Sequence, residues 1–135
     1  MYLLDTDILS NLLRRAPSTA LITKLASVPA ERQFTSSITL GELVYGAHRL
    51  RDRTDALLQR LDETLLPNLP VLPFDASAAR RYGEVRAEVE RRGTPIGDAE
   101  LRIAAIALDR NLTVVTGNVR HFQKVPSLAV ENWLG

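Results

Sequence analysis

The 135-residue chain is long enough for one domain with a substantial core and too short for two, so residues 1–135 are read as a single domain. Hydrophobic residues make up 45% and charged residues 24%, and no apolar run approaches the roughly 20 residues of a membrane span, so a soluble chain is expected. A net charge of +1 does not mark a nucleic-acid binder, and the absence of cysteine excludes disulfides, thiol catalysis and cysteine-held metals.

Asp5 and Asp7 interrupt the N-terminus before a secretory apolar segment can form, and a chain without cysteine suits a reducing compartment, so a cytoplasmic location is expected. His48 and His121 are too few for a histidine-rich zinc site. Any metal has to be held mainly by carboxylates. Of the 17 basic residues only Lys24 and Lys124 are lysine. The arginine fork suits phosphates, although a GC-rich coding sequence gives the same bias.

In chain order, "YLLD" (Tyr2 to Asp5) reads as a short buried strand and "ILSNLL" as the helix after it. Ser18 caps a second helix, "STALITKLASV". "QFTSS" predicts a strand and "TLGELVYGAHRL" a helix. Next come "DALLQRLDETLLPNL", a helix stopped by Pro67 and Pro70, the strand "VLPF", and a long helix from its cap Asp75 to its stop Gly93. The helix "DAELRIAAIALDRN" and the strands "LTVVTGN" and "LAVENW" complete the chain. Strands alternating with helices predict an α/β fold whose mostly parallel sheet is covered on both faces. In such sheets ligands sit beyond the carboxyl ends of the strands, which directs attention to Asp5–Asp7, Ser36–Glu42 and Thr116–Asn118.

Asp5 follows a strand directly, so its carboxylate belongs at the sheet rim. It could cap the next helix, but Thr6 or Asp7 can do that equally well, which frees Asp5 for chemistry. Thr39 and Glu42 fit a capping box, with Thr39 as the cap and Glu42 reaching back to it. A carboxylate in that first turn also faces the pocket expected around Asp5. In "GTPIGDAELRIAA" two acids stand two residues apart, and helical phase separates them. At about 100° per residue, Asp98 shares a polar stripe with Arg102 and Asp109, whereas Glu100 lines up with Ile103, Ala104 and Ala107 on the buried face. A buried carboxylate is costly unless paired or coordinated, so Glu100 belongs either to an internal ion pair or to a site. Asp98 reads as a cap or surface residue. Thr116 and Asn118 follow a strand, where "TGN" also reads as a turn, and His48 and His121 read as surface or hydrogen-bonded residues.

If Asp5, Glu42 and Glu100 converge, three carboxylates could not all remain ionised near pH 7 without a cation. A hard divalent ion, Mg²⁺ or Mn²⁺, prefers such oxygen ligands, and the chemistry it supports on a phosphodiester is hydrolysis. The residues therefore point to a metal-dependent nuclease.

The segments "LLDTDILS", "SSITLGELVYGA", "RGTPIGDAELRIAAIAL", "LTVVTGNVRHFQKVP" and "ENW", in this order and spacing, resemble the PIN-domain ribonucleases and, among them, the VapC-type toxins of bacterial toxin–antitoxin pairs. The resemblance covers essentially the whole chain. It implies a three-layer α/β/α sandwich and matches Asp5, Glu42 and Glu100 to the family's three metal-holding acids, with Asp98 as the alternative third ligand. The family usually has aspartate at the third place, so Glu100 lengthens that arm by one methylene. Asn118 stands where many relatives carry a fourth acid and can act through its carbonyl, without charge. One charge fewer favours a single tightly held ion. The resemblance also implies an RNA substrate, with tRNA among the candidates, a VapB-like antitoxin and a homodimer. Two alternatives stand beside it. "DTDIL" looks like the nucleophile motif of haloacid-dehalogenase-type phosphatases, with Asp5 attacking phosphorus. The substitution at position 100 and the missing fourth acid fit a catalytically inactive PIN-like binding module.

Overall fold

The computed structural model describes residues 1–135. Five short strands form its centre: β1 (Tyr2–Leu4), β2 (Gln33–Ser36), β3 (Val71–Leu72), β4 (Thr113–Val115) and β5 (Val130–Glu131). They pair in the order β3-β2-β1-β4-β5, and every pairing is parallel. The chain thus builds outward from β1 to one edge, then returns and builds outward to the other. The reversal lies between β1 and β4, where Leu3 is in register with Val114 and Leu4 with Val115. That is the switch point at which the loops leaving neighbouring strands part and open a crevice.

Alternation along the strands sorts their side chains between two cores. Leu3 and Val114 face one layer, packed with Val85, Val89, Ile103 and Ile106. Those residues come from α5 (Ala76–Arg91) and α6 (Asp98–Arg110). Leu4 and Val115 face the opposite layer with Ile8, Leu9, Leu21, Leu43 and Trp133. That layer is built by α1 (Thr6–Leu12), α2 (Thr19–Ser27) and α3 (Ser37–Arg49), joined by Leu61 just past α4 (Thr54–Arg60). Each fully buried leucine or isoleucine contributes about 2 kcal/mol, and strands hydrophobic on both faces can be satisfied only between two helical layers. The result is the expected α/β/α sandwich.

Several boundaries differ from the sequence expectations for local reasons. The cap of α3 is Ser36, whose hydroxyl accepts the Thr39 N–H at 3.0 Å. The helix therefore begins at Ser37, and the expected Thr39–Glu42 capping box does not form. The helix expected over Asp55–Leu69 is regular only to Arg60, widens into a π turn over Leu61–Leu65 and tightens into a 3₁₀ turn at Leu66–Asn68. Pro67 cannot continue an α-helical ladder. The expected strands "VLPF" and "LAVENW" are paired only over Val71–Leu72 and Val130–Glu131. A short helix, α7 (Val119–Phe122), follows β4. Gly93 ends α5 as expected: at φ +65° it lets its own N–H reach the Glu90 carbonyl and the Thr94 N–H reach that of Val89.

Candidate active site

Asp5 leaves β1 at the switch point, its backbone N–H still bonded to the Val115 carbonyl of β4 at 2.9 Å. Only 5% of the residue is exposed. It holds the N-cap position of α1 with extended backbone angles, yet its side chain caps nothing. The carboxylate instead meets Thr116 at the end of β4, whose hydroxyl is 2.8 Å from Asp5 Oδ2 and 3.4 Å from Asp7 Oδ1. A hydroxyl has one proton to give, and the distances assign it to Asp5. The same oxygen accepts the Asn118 N–H at 2.9 Å.

Burial pushes the Asp5 carboxyl up from 3.8 to about 7. Hydrogen bonds from the Thr6 backbone and the Thr116 hydroxyl oppose that rise, while the charges of Asp7 and Glu42 add to it. Asp7, which the sequence suggests as a helix cap, fastens the two strand ends together: its Oδ2 accepts the Gly117 N–H at 2.8 Å. A Cβ at position 117 would lie 2.7 Å from that oxygen and 2.8 Å from Leu134 Cδ1, so only glycine fits.

Glu42 lies on the first turns of α3, exposed and free of capping duty. The Thr6 hydroxyl, next to Asp5 in the chain, donates to Glu42 Oε1 at 2.5 Å and lies 3.2 Å from the Thr39 hydroxyl. Asp5 and Glu42 thus meet across Thr6. Glu100 is turned elsewhere. Its side chain is 20% exposed, and both its oxygens face His121 Nδ1, at 2.9 and 3.1 Å. An ionised carboxylate only accepts, so Nδ1 carries the proton in this contact. Glu100 is therefore on the half-buried side that helical phase indicates, and its partner is a histidine rather than an arginine.

Asp98 follows the helix cap Gly97 and does not itself cap α6. It is 54% exposed and bonded to Arg102 at 2.9 Å and to the Tyr82 hydroxyl. The tyrosine hydroxyl and then Arg102 hold its carboxyl below the usual aspartate range. Asn118 takes the cap position of α7 without a side-chain cap bond and is exposed at the crevice mouth. No group of three or more histidine, aspartate or glutamate side chains is arranged to hold a metal ion. The structure thus joins Asp5, Asp7, Glu42, Thr6 and Thr116, and leaves Glu100 with His121 and Asp98 with Arg102. Thr6 and Thr116 give no strong sequence signal, since hydroxyls gain meaning only from what the fold places beside them.

The family model of the PIN domain matches residues 2–128. The chain is 36% identical over 134 residues to the tRNA(fMet)-specific endonuclease VapC of Salmonella typhimurium, covering 98% of this chain and 97% of that one. It is 34% identical over 126 residues to toxin FitB of Neisseria gonorrhoeae, covering 90% and 91%. Among solved structures, DNA-bound VapBC from Salmonella typhimurium superposes with a TM-score of 0.87 at 36% identity, over 98% of this chain and 97% of that one. With nearly its whole length matched in sequence and in fold, the chain belongs to the PIN-domain family and, within it, to the VapC ribonucleases.

Proposed function

We propose that this protein is a metal-dependent endoribonuclease toxin, with Asp5, Glu42 and, once turned away from His121, Glu100 as its acids for a Mg²⁺ or Mn²⁺ ion, and with an antitoxin that restrains it. The observation that carries this reading is Asp5, a buried carboxylate at the switch point with Glu42 beside it across Thr6. Its charge is disfavoured by burial and by neighbouring acids, a debt that a cation would offset. The donors are all hard oxygens, the ligand type that magnesium and manganese prefer. A bound ion would neutralise a phosphoryl oxygen and lower the pKa of a water. Asp5 and Glu42 would hold it, we assign Glu100 ahead of Asp98 as the third acid, and Asn118 would orient a water or phosphate from the crevice mouth. Since the Salmonella relative is a tRNA(fMet)-specific endonuclease, tRNA is the first substrate to try.

The phosphatase alternative, with Asp5 as nucleophile, is disfavoured by the match of the PIN-domain family model to residues 2–128. For the antitoxin, a groove of about 420 Å³ between α1, α3 and α4 reaches Glu42. Its floor carries Leu13, Leu43 and Leu57 and its rim Arg14, Arg15 and Arg53, which suits an apolar segment flanked by acids.

The test is cleavage of a tRNA pool by protein stripped of any partner, with Mn²⁺ and then with chelator. Wild type should cut only with the metal, and Asp5→Asn and Glu42→Gln should each lose at least about 100-fold, the scale of a metal site contributing several kcal/mol. Equal inertness of wild type and variants would leave the inactive-module alternative standing. In Mn²⁺ titrations, Glu100→Gln should weaken binding more than Asp98→Asn, and the reverse order would transfer the third place to Asp98.

A further inference from the structure

On the helix that carries Glu42, one turn further on, Tyr45 is 65% exposed, the most open large apolar side chain in the protein. Residues three apart on a helix share a face, so the ring and the carboxylate look the same way. They line one cleft of about 410 Å³ between α3 and α6, with Gly41 and Ile38 on one wall and Asp98 and Arg102 on the other. The Arg49 guanidinium lies 5.7 Å from the Tyr45 ring centroid and supports the ring from its own helix. Across the cleft, Arg102 is fixed by Asp98 at 2.9 Å and lies 5.4 Å from the rings of both Phe74 and Tyr82.

We propose that Tyr45 is a base-stacking residue: a nucleobase of the RNA strand lies on its ring in the α3–α6 cleft while the adjoining phosphate sits at the acid site. The inference rests on the ribonuclease reading above and adds the residue that positions the strand. Three features select a base over a protein surface. The cleft opens directly onto Glu42, so a strand bound at the acids must pass it or turn away. Three of its lining residues, Glu42, Asp98 and Arg102, are charged, and protein interfaces are depleted of charge at their cores. A single open ring among arginines and carboxylates is also too little apolar surface for a stable interface, which buries about 800 Å² per partner, whereas stacking needs only the ring's π-face. Gly41 keeps its stretch of that wall free of a side chain.

The experiment uses the full chain and short single-stranded RNAs, each carrying 2-aminopurine at one position, with binding read by stopped flow before cleavage and cleavage read afterwards, both in the wild-type background. One position should be quenched on binding to protein with Tyr45 or with Tyr45→Phe, and that quenching should vanish with Tyr45→Ala. Tyr45→Ala should weaken binding about 5- to 100-fold, the range expected for one base on an aromatic ring, and Tyr45→Phe should stay within about twofold. The salt dependence of binding should be unchanged in Tyr45→Ala, because no phosphate contact is lost. Wild type that cuts RNA beside an equally active and equally tight-binding Tyr45→Ala would overturn the inference and leave the nuclease intact. Wild type that neither binds nor cuts RNA would overturn both. A change in the molecular mass of the assembly in Tyr45→Ala, by light scattering, would assign the ring to contact between copies and overturn the stacking role.

Discussion

Asp5 sets the site's response to pH. In the unfolded chain its carboxyl titrates near 3.8, and in the folded chain near 7. Between those values the folded state binds more protons, so folding stability is highest below the lower value and falls as pH rises toward 7, above which the full cost of burying the charge is present. That cost is on the order of 4 kcal/mol at most. Asparagine removes the charge and still accepts the Thr116 hydroxyl through its carbonyl. Without divalent metal, Asp5→Asn should therefore melt several degrees above wild type at pH 8 and show little or no gain at pH 4. An equal gain at both values would mean that burial of charge is not the cause. The position of Asp5 is legible in the sequence because an acid directly after an apolar strand has few places to go. The direction of Glu100 is legible only by half: phase gives the face, but a pairing with His121, 21 residues on, depends on how α7 lies against α6.

At the scale of elements, the start of α3 separates stability from chemistry. In "SSITLGE" local spacing favours Thr39 as the cap because Glu42 follows it by three. The sheet decides otherwise. β2 pairs with β3 through Ser36↔Leu72, and the chain turns into the helix at the next residue. Thr39 is then fully buried and its N–H is already satisfied by Ser36. Glu42, one turn further along, is left to face Thr6 and the crevice. Ser36→Ala should cost about 1 kcal/mol in denaturant unfolding, the usual loss of a serine cap. Glu42→Ala should change unfolding by less than about 0.5 kcal/mol, the usual size for an exposed position, while abolishing cleavage. A loss in Glu42→Ala as large as that in Ser36→Ala would restore the capping box and weaken the case for Glu42 as a site acid.

For the whole molecule, the alternation of strands and helices was enough to specify a parallel sheet between two helical layers, because strands as apolar as "YLL" and "TVV" leave no solvated face. Strand order was not legible, since it depends on which crossover returns past β1, and it is strand order that brings Asp5 and Thr116, 111 residues apart, to 2.8 Å. A site assembled at a switch point exists only in the folded chain. A cation held there must therefore stabilise the native state by mass action, by about 2.7 kcal/mol at one hundred times its dissociation constant. For a domain of this size that corresponds to a rise in melting temperature of roughly 10 °C. Mn²⁺ should produce that rise at pH 8 in wild type and in Tyr45→Ala, and little of it in Asp5→Asn. Scanning calorimetry at increasing Mn²⁺ distinguishes the causes: a rise that persists in Asp5→Asn would place the ion elsewhere on the surface, and a flat response in wild type would remove the metal from the mechanism.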